Sequence, residues 1–178
     1  QTRDLVQSFP DHRSKLKKLI RKEQQNFIDR HPKALALYKK AQASLMDGVP
    51  MPWMTEWASP FPLYIEKASG AHFTDVDGLD YIDFCLGDTG AMTGHAPERT
   101  VREIQDAMTR GFTFMCPTEN SIYVGEEMAR RFGLPFWQFA MTATDANRFC
   151  LRLARAVTNR QKILVFNYCY HGTVDEAQ

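Results

Sequence analysis

The stretch from Phe136 to Gly172 constrains the fold of this chain more than any other part of it. Between two short apolar runs, its apolar residues recur at spacings of three and four, the period of one face of an α-helix. These residues are Ala146, Phe149, Cys150, Leu153, Ala154 and Val157. The flanking runs, 136–140 and 162–166, have the continuous hydrophobicity of strands in a parallel sheet that is covered on both faces. The sequence therefore predicts a βαβ unit whose helix buries one stripe.

The turn that opens this helix favours an anion. Thr142, Ala143 and Thr144 lie where unpaired backbone N–H groups and the helix dipole attract negative charge. Tyr170 follows the second apolar run, so a βαβ unit would bring its ring to the same edge of the sheet as the turn. This combination suits a phosphorylated aromatic cofactor. Read alone, the threonines also fit plain helix N-caps, and His171 also fits a structural histidine.

Several motifs in the same order resemble those of class III (fold type I) pyridoxal-phosphate-dependent aminotransferases. Residues 142–172 resemble the segment that reads S-G-T-E-A, then R-L-A-R-A-x-T-G-R-x-K-I, and ends in Y-H-G. Upstream, residues 70–84 resemble the G-A-x-x-x-D-x-D-G-x-x-Y-I-D-F hairpin, residues 94–95 the G-H element and residues 117–119 the P-T-E element. The nearest subgroup contains glutamate-1-semialdehyde aminomutase and the β-amino-acid transaminases. Because several motifs occur together over roughly residues 61–178, the signal is strong.

The resemblance implies a fold type I α/β architecture and roles for individual residues. Pyridoxal 5'-phosphate would be the cofactor, with its phosphate on the turn, its ring against Tyr170, and His171 beside that ring. The phosphate-binding residues would be Thr142, Ala143 and Thr144. Ala143 stands where the family has glycine, and its methyl group is tolerated only if φ is negative.

A substrate pocket is expected from the N-terminal half. Its expected residues are Trp53, Trp57, Asp88 and Thr89. The two tryptophans also fit an arm that packs on the core, and the two interpretations remain open.

The resemblance also implies a lysine that forms a Schiff base with the cofactor and an aspartate that holds the pyridine nitrogen protonated. In the family both lie downstream of Y-H-G, whereas this sequence ends at Gln178. Lys162 is expected at the edge of the sheet opposite the ligand. We therefore expect the N-terminal part of a longer enzyme, with no activity of its own in a single-turnover assay.

Three regions are expected along the chain. Residues 1–60 would form a helical segment and arm, residues 61–97 an antiparallel hairpin, and residues 98–178 the first part of the cofactor domain. Within them, helices are predicted over residues 11–31, 32–46, 98–109 and 120–132, and the prolines between residues 50 and 62 predict an extended arm. Asp77 and Gly78 are typical of a hairpin turn.

Composition limits the kind of partner and compartment. A formal net charge of +1 creates no field that attracts nucleic acid or an acidic membrane, and no apolar run approaches the ~20 residues of a spanning helix. The four cysteines lack the spacing of a metal site, so no metal and a reducing, cytoplasmic setting are expected.

The function predicted from these observations is transfer of an amino group between a small-molecule amino donor and an oxo-acid acceptor by a homodimer. An aminomutase, racemase or decarboxylase of the same family remains open. So does a different class of protein, a scaffold or regulatory module without the Schiff-base lysine.

Overall fold

The structure is a computed structural model that describes residues 10–175, and the chain forms two compact units, Gln1–Phe112 and Thr113–Gln178. Five α-helices are present in the described part: α1 (Pro10–Arg30), α2 (Pro32–Ala41), α3 (Glu98–Met108), α4 (Glu119–Phe132) and α5 (Ala143–Thr158). The strands there are β1 (Ile65–Ser69), β2 (His72–Asp75) and β3 (Asp80–Ile82). Across residues 10–175, every helix is too short or too polar to cross a membrane.

The two N-terminal helices are separated by a single residue. His31 lies outside the helical region (φ −125°, ψ 53°) because Pro32 follows it, and Pro32 then begins α2. The predicted helix over residues 32–46 is too long, since α2 ends at Ala41. Residues 46–48 form a separate 3-10 turn in which Gly48 takes a positive φ of 70°.

The expected hairpin is confirmed and has one strand more than a simple hairpin. β1, β2 and β3 form an antiparallel sheet in that order, with an irregularity in β1 between Ile65 and Lys67. The turn between β2 and β3 contains Asp77 and Gly78, and Gly78 has the positive φ (86°) that such a turn requires.

A buried polar cluster joins the N-terminal helices to this sheet. Asp75, which is fully buried, accepts hydrogen bonds from the backbone N–H groups of Asp77 and Leu79 and from the Tyr81 hydroxyl (3.0 Å). His31 contacts the same hydroxyl through Nε2 at 2.7 Å. Burial and the hydrogen bond to Asp75 raise the pKa of Tyr81 to about 12, so its hydroxyl remains a donor.

Asp77 makes the second connection between the sheet and the helices. Its carboxylate accepts hydrogen bonds from the backbone N–H groups of Lys33 (2.8 Å) and Ala34 (3.0 Å) in the first turn of α2. An N-terminal cap of α2 is thus supplied from more than forty residues away. Phe61 packs on the same helices, against Phe27 and Tyr38, and is only 5% exposed.

The C-terminal unit contains the central helix of the predicted βαβ unit but not the two flanking strands. α5 begins after Thr142 and ends before Asn159, which takes the left-handed conformation. The segments 136–140 and 162–166 were predicted as strands, but neither is a strand, because within residues 10–175 neither has a ladder partner. The predicted buried stripe of α5 is exposed for the same reason, with Leu153 64% and Val157 85% accessible.

The cap from Asp77 predicts a clear effect on stability. In the full-length protein, Asp77→Ala removes the acceptor for two N–H groups of α2 and should lower the free energy of unfolding by about 1–2 kcal/mol. Asp77→Asn keeps one acceptor oxygen and should lose less. Glu103→Ala, at an exposed position of α3, serves as the control. Equal chemical-denaturation curves for Asp77→Ala and the control would contradict this prediction.

Candidate functional site

The turn before α5 uses its two threonine hydroxyl groups differently. The Thr142 hydroxyl accepts a hydrogen bond from the Asp145 backbone N–H at 3.1 Å and donates one to the Asp145 carboxylate at 2.8 Å. The Thr142 hydroxyl therefore uses its hydrogen, and accepts a hydrogen bond, within the N-terminal cap of α5. The Thr144 hydroxyl accepts from the Thr173 backbone N–H at 3.3 Å, and its own hydrogen has no acceptor among the described residues.

Two backbone donors remain available at the same turn. The Asp145 N–H is used by Thr142, and the Ala146 N–H donates to the Thr142 carbonyl oxygen. Within the described residues, the N–H groups of Ala143 and Thr144 have no acceptor. Ala143 is the first residue of α5 and does not have a positive φ, so the condition for a methyl group at this position is met. This end of α5 can bind an anion.

The chain after α5 returns to the helix N-terminus and packs on it. The Asn147 side-chain amide donates to the His171 carbonyl oxygen at 2.7 Å. Gly172, with φ +94°, lies so close to Thr144 that a Cβ atom there would be 2.6 Å from the Thr144 hydroxyl oxygen. Gly172 and Val174 are buried, in a unit whose other large apolar side chains are mostly exposed. The Y-H-G element predicted from the sequence is thus adjacent to the turn before α5.

Tyr170 and His171 differ in environment. The Tyr170 side chain is 81% exposed, so its ring is free to receive a flat ligand. The Nδ1 atom of His171 is buried and has no hydrogen-bond partner within residues 10–175. A buried polar atom of this kind is normally satisfied by a further group.

Lys162 lies beyond the end of α5 that is opposite this turn. Its neighbour Gln161 accepts a hydrogen bond from the Arg155 side chain at 3.0 Å, in the last turn of the helix. Arg155 follows Thr142 by thirteen positions, which along a helix is ~20 Å. Lys162 therefore does not reach a group that is bound at the N-terminus of α5.

A second cluster in the N-terminal unit brings together two of the sequence motifs, the hairpin over residues 70–84 and the G-H element at residues 94–95. Gly70 and His95 exchange two backbone hydrogen bonds (2.9 and 2.8 Å), and a Cβ atom at Gly94 would lie only 3.1 Å from the Cα atom of Gly70. The His95 ring contacts the Asp83 carboxylate at 2.6 Å. The other oxygen of Asp83 accepts from the backbone N–H groups of Cys85 and Leu86. These bonds close the loop over residues 84–94.

The hydrogen bond from His95, together with those from the backbone N–H groups, lowers the pKa of the Asp83 carboxyl group. The loop that Asp83 closes contains Asp88 and Thr89, both exposed and both with positive φ. Trp53 and Trp57 lie elsewhere in this unit, with ring centroids 6.4 Å apart and about half of each side chain exposed. Their arrangement as a substrate pocket stays a prediction.

Asn147 is the functional candidate that sequence reasoning missed. It lies on α5 one turn after Thr144, and no local pattern marks it, because its partner is 24 residues away. Position 147 also lies outside the apolar stripe of the helix, where a polar residue is expected.

The comparisons with known proteins agree on one family. The model of the family described as aminotransferase class-III matches residues 53–177. Glutamate-1-semialdehyde 2,1-aminomutase of Methanocaldococcus jannaschii is 34% identical over 144 residues, which are 80% of this chain and 33% of that protein. The chain thus spans about a third of the length of this curated relative.

Solved structures give the same result. A glutamate-1-semialdehyde-aminomutase from Pseudomonas aeruginosa PAO1 superposes with a TM-score of 0.88 at 46% identity, over 93% of this chain and 36% of that one. A transaminase with PLP bound superposes with a TM-score of 0.74 at 34% identity, over 81% of this chain and 34% of that one. The fold type I α/β architecture expected from the sequence is confirmed.

The Asp83 contacts predict how stability depends on pH. Because the pKa of Asp83 is lowered in the folded protein, its contribution to stability is present above the ordinary carboxyl pKa and is lost as the pH falls through the lowered value. The difference in unfolding temperature between the wild type and Asp83→Asn should therefore shrink on acidification from pH 7 to pH ~3. Glu126→Gln, at an exposed position of α4, is the control. A difference that stays constant with pH would contradict this interpretation.

Proposed function

This chain belongs to the class III aminotransferase family, and from that premise we propose that the full-length protein is a pyridoxal-phosphate-dependent enzyme that transfers an amino group between a small-molecule amino donor and an oxo-acid acceptor. One observation carries the proposal: the Tyr170–Gly172 segment packs beside a helix N-terminus whose first two N–H groups have no acceptor among residues 10–175. Neither a scaffold nor a regulatory module requires this arrangement.

The residues of this site fit the cofactor. The N–H groups of Ala143 and Thr144 and the hydroxyl hydrogen of Thr144 would hold the phosphate by charge-assisted hydrogen bonds. The transaminase that matches with PLP bound supports this choice of cofactor. When bound, pyridoxal phosphate supplies an aldehyde that reacts with the amino group and a ring that withdraws electrons.

Tyr170 and His171 would hold the ring of the cofactor. The exposed Tyr170 ring offers a face for stacking, which typically contributes about 0.5–1.5 kcal/mol beyond burial of area. The unpartnered Nδ1 of His171 would gain a hydrogen-bond partner in a loaded site. Asp88 and Thr89, with Trp53 and Trp57, are proposed to approach the substrate.

An aminomutase is the second candidate, because relatives with that name match a large part of the chain. The two reactions differ in stoichiometry. An aminotransferase requires an oxo acid to accept the amino group, whereas a 2,1-aminomutase moves the group within one molecule. The shared site does not depend on which of these reactions takes place.

The experiment that tests the function uses the purified full-length protein. Added pyridoxal phosphate should remain bound after dialysis and give an absorbance band distinct from that of the free cofactor. Amino donors are then supplied with and without an oxo acid, and the products are followed by mass spectrometry. Conversion beyond one equivalent of enzyme only with the oxo acid supports the aminotransferase, and repeated conversion without it to a positional isomer of unchanged mass supports the aminomutase. A protein that retains no cofactor would refute both.

We also propose that the full-length protein is a cytoplasmic homodimer. Exposed apolar side chains on α1 support this proposal, because a second copy of the chain could cover them. Leu16, Leu19 and Ile20 are each more than half accessible. Phe61 is buried within its own unit, so it is not available to a partner. Sedimentation should give twice the monomer mass at micromolar concentration, and a fully active monomer would exclude the dimer. The inactivity of residues 1–178 alone stays a prediction.

The unequal use of the two hydroxyl groups predicts unequal effects of two matched substitutions. Thr144→Val in the full-length protein removes the available donor. It should weaken the binding of pyridoxal phosphate by about 1.5–3 kcal/mol, the range for hydrogen bonds to charged groups. Thr142→Val removes only the cap and should mainly lower thermal stability. Equilibrium titration and thermal unfolding separate the two effects. Equal loss of cofactor affinity in both variants would contradict this assignment.

A further inference from the structure

The Asn147 side chain donates a hydrogen bond from its amide nitrogen to a backbone carbonyl oxygen. The acceptor is the carbonyl oxygen of His171, so the nitrogen of the side chain must face it, at 2.7 Å. The contact connects the second turn of α5 to the backbone next to Tyr170. Asn147 itself follows the free N–H groups of Ala143 and Thr144 by one helical turn.

A second set of contacts holds the same segment against the first turn of the helix. The Thr173 N–H donates to the Thr144 hydroxyl, and Gly172 lies in contact with Thr144. The segment is therefore fixed on both sides of Gly172, by Asn147 before it and Thr144 after it. Tyr170, by contrast, is 81% exposed. Its location depends on the backbone that these contacts fix.

We propose that Asn147 is a positioning residue, which places the Tyr170 ring over a group held at the N-terminus of α5 by binding the His171 carbonyl oxygen. This inference rests on the proposed function. Asn147 acts through Tyr170, and its amide is already used by the protein backbone. Without it, Tyr170 loses its fixed distance from the phosphate-binding N–H groups of Ala143 and Thr144.

The first variant is Asn147→Leu in the full-length protein. Leucine has a similar size and a higher helix propensity than asparagine, so α5 itself should not be weakened. Loss of one hydrogen bond should raise the dissociation constant of pyridoxal phosphate, measured by equilibrium dialysis, about fivefold. The circular dichroism of the bound cofactor, which reports a fixed ring orientation, should also decrease. The matched control is Asn120→Leu, at an exposed position of α4, with unchanged affinity.

A double-mutant cycle with Tyr170→Ala distinguishes positioning from a general structural role. If Asn147 acts through the Tyr170 ring, Asn147→Leu should weaken binding less than twofold further once that ring is absent. If Asn147 acted independently of the Tyr170 ring, the fold-losses of cofactor affinity in the two single variants would multiply in the double variant. Multiplied losses, or an affinity equal to that of the Asn120→Leu control, would overturn the proposal.

Asn147→Ala gives a second route to the same result if Asn147→Leu folds poorly. It removes the amide that binds the His171 carbonyl oxygen, adds no bulk and raises helix propensity. The same loss of cofactor affinity and the same dependence on Tyr170 are expected. If Asn147→Ala weakens cofactor binding by the same factor with and without the Tyr170 ring, the proposal is wrong. Should the wild-type protein bind no pyridoxal phosphate, the proposed function fails instead.

Discussion

The buried carboxylate of Asp75 is the interaction on which the N-terminal unit depends. An unpaired charge in this position would be strongly destabilising, and the structure supplies it with two backbone N–H groups, the Tyr81 hydroxyl and a nearby His31 ring. These partners come from the turn, from β3 and from the residue between α1 and α2. The helices and the sheet therefore cannot separate without exposing or unpairing this group. Asp77 adds a cap to α2 from the same turn.

The same sheet determines where the loop over residues 84–94 begins and ends. Asp83 follows β3 directly, while Gly70 lies between β1 and β2. His95 binds both, one through its ring and one through its backbone. Motifs that are separated by 25 residues in the sequence thus meet at one place because the sheet brings them there. The conformation of the loop, including the positive φ angles of Asp88 and Thr89, is held by contacts at its ends.

Local signals predicted much of this fold. The apolar period identified α5, and Asp77 with Gly78 identified the turn between β2 and β3, because both depend on neighbouring residues. The segments 136–140 and 162–166 have strand-like composition, but a strand also requires a hydrogen-bonded neighbour, which composition cannot supply. In the site, the turn before α5 was predictable, whereas the contact between Asn147 and His171 was not. A side-chain bond across 24 residues leaves no periodic trace.

The turn before α5 also shows why the residue types of a motif do not determine their roles. The sequence presents Thr142 and Thr144 as equivalent hydroxyl groups on either side of Ala143. The structure distinguishes them. The Thr142 hydroxyl both donates to and accepts from Asp145, whereas the Thr144 hydroxyl only accepts a hydrogen bond, from the Thr173 backbone N–H. A phosphate can receive a hydrogen bond but cannot donate one when fully ionised. Of the two hydroxyl groups, the one whose hydrogen remains available is therefore the one suited to an anion, and the other serves the helix.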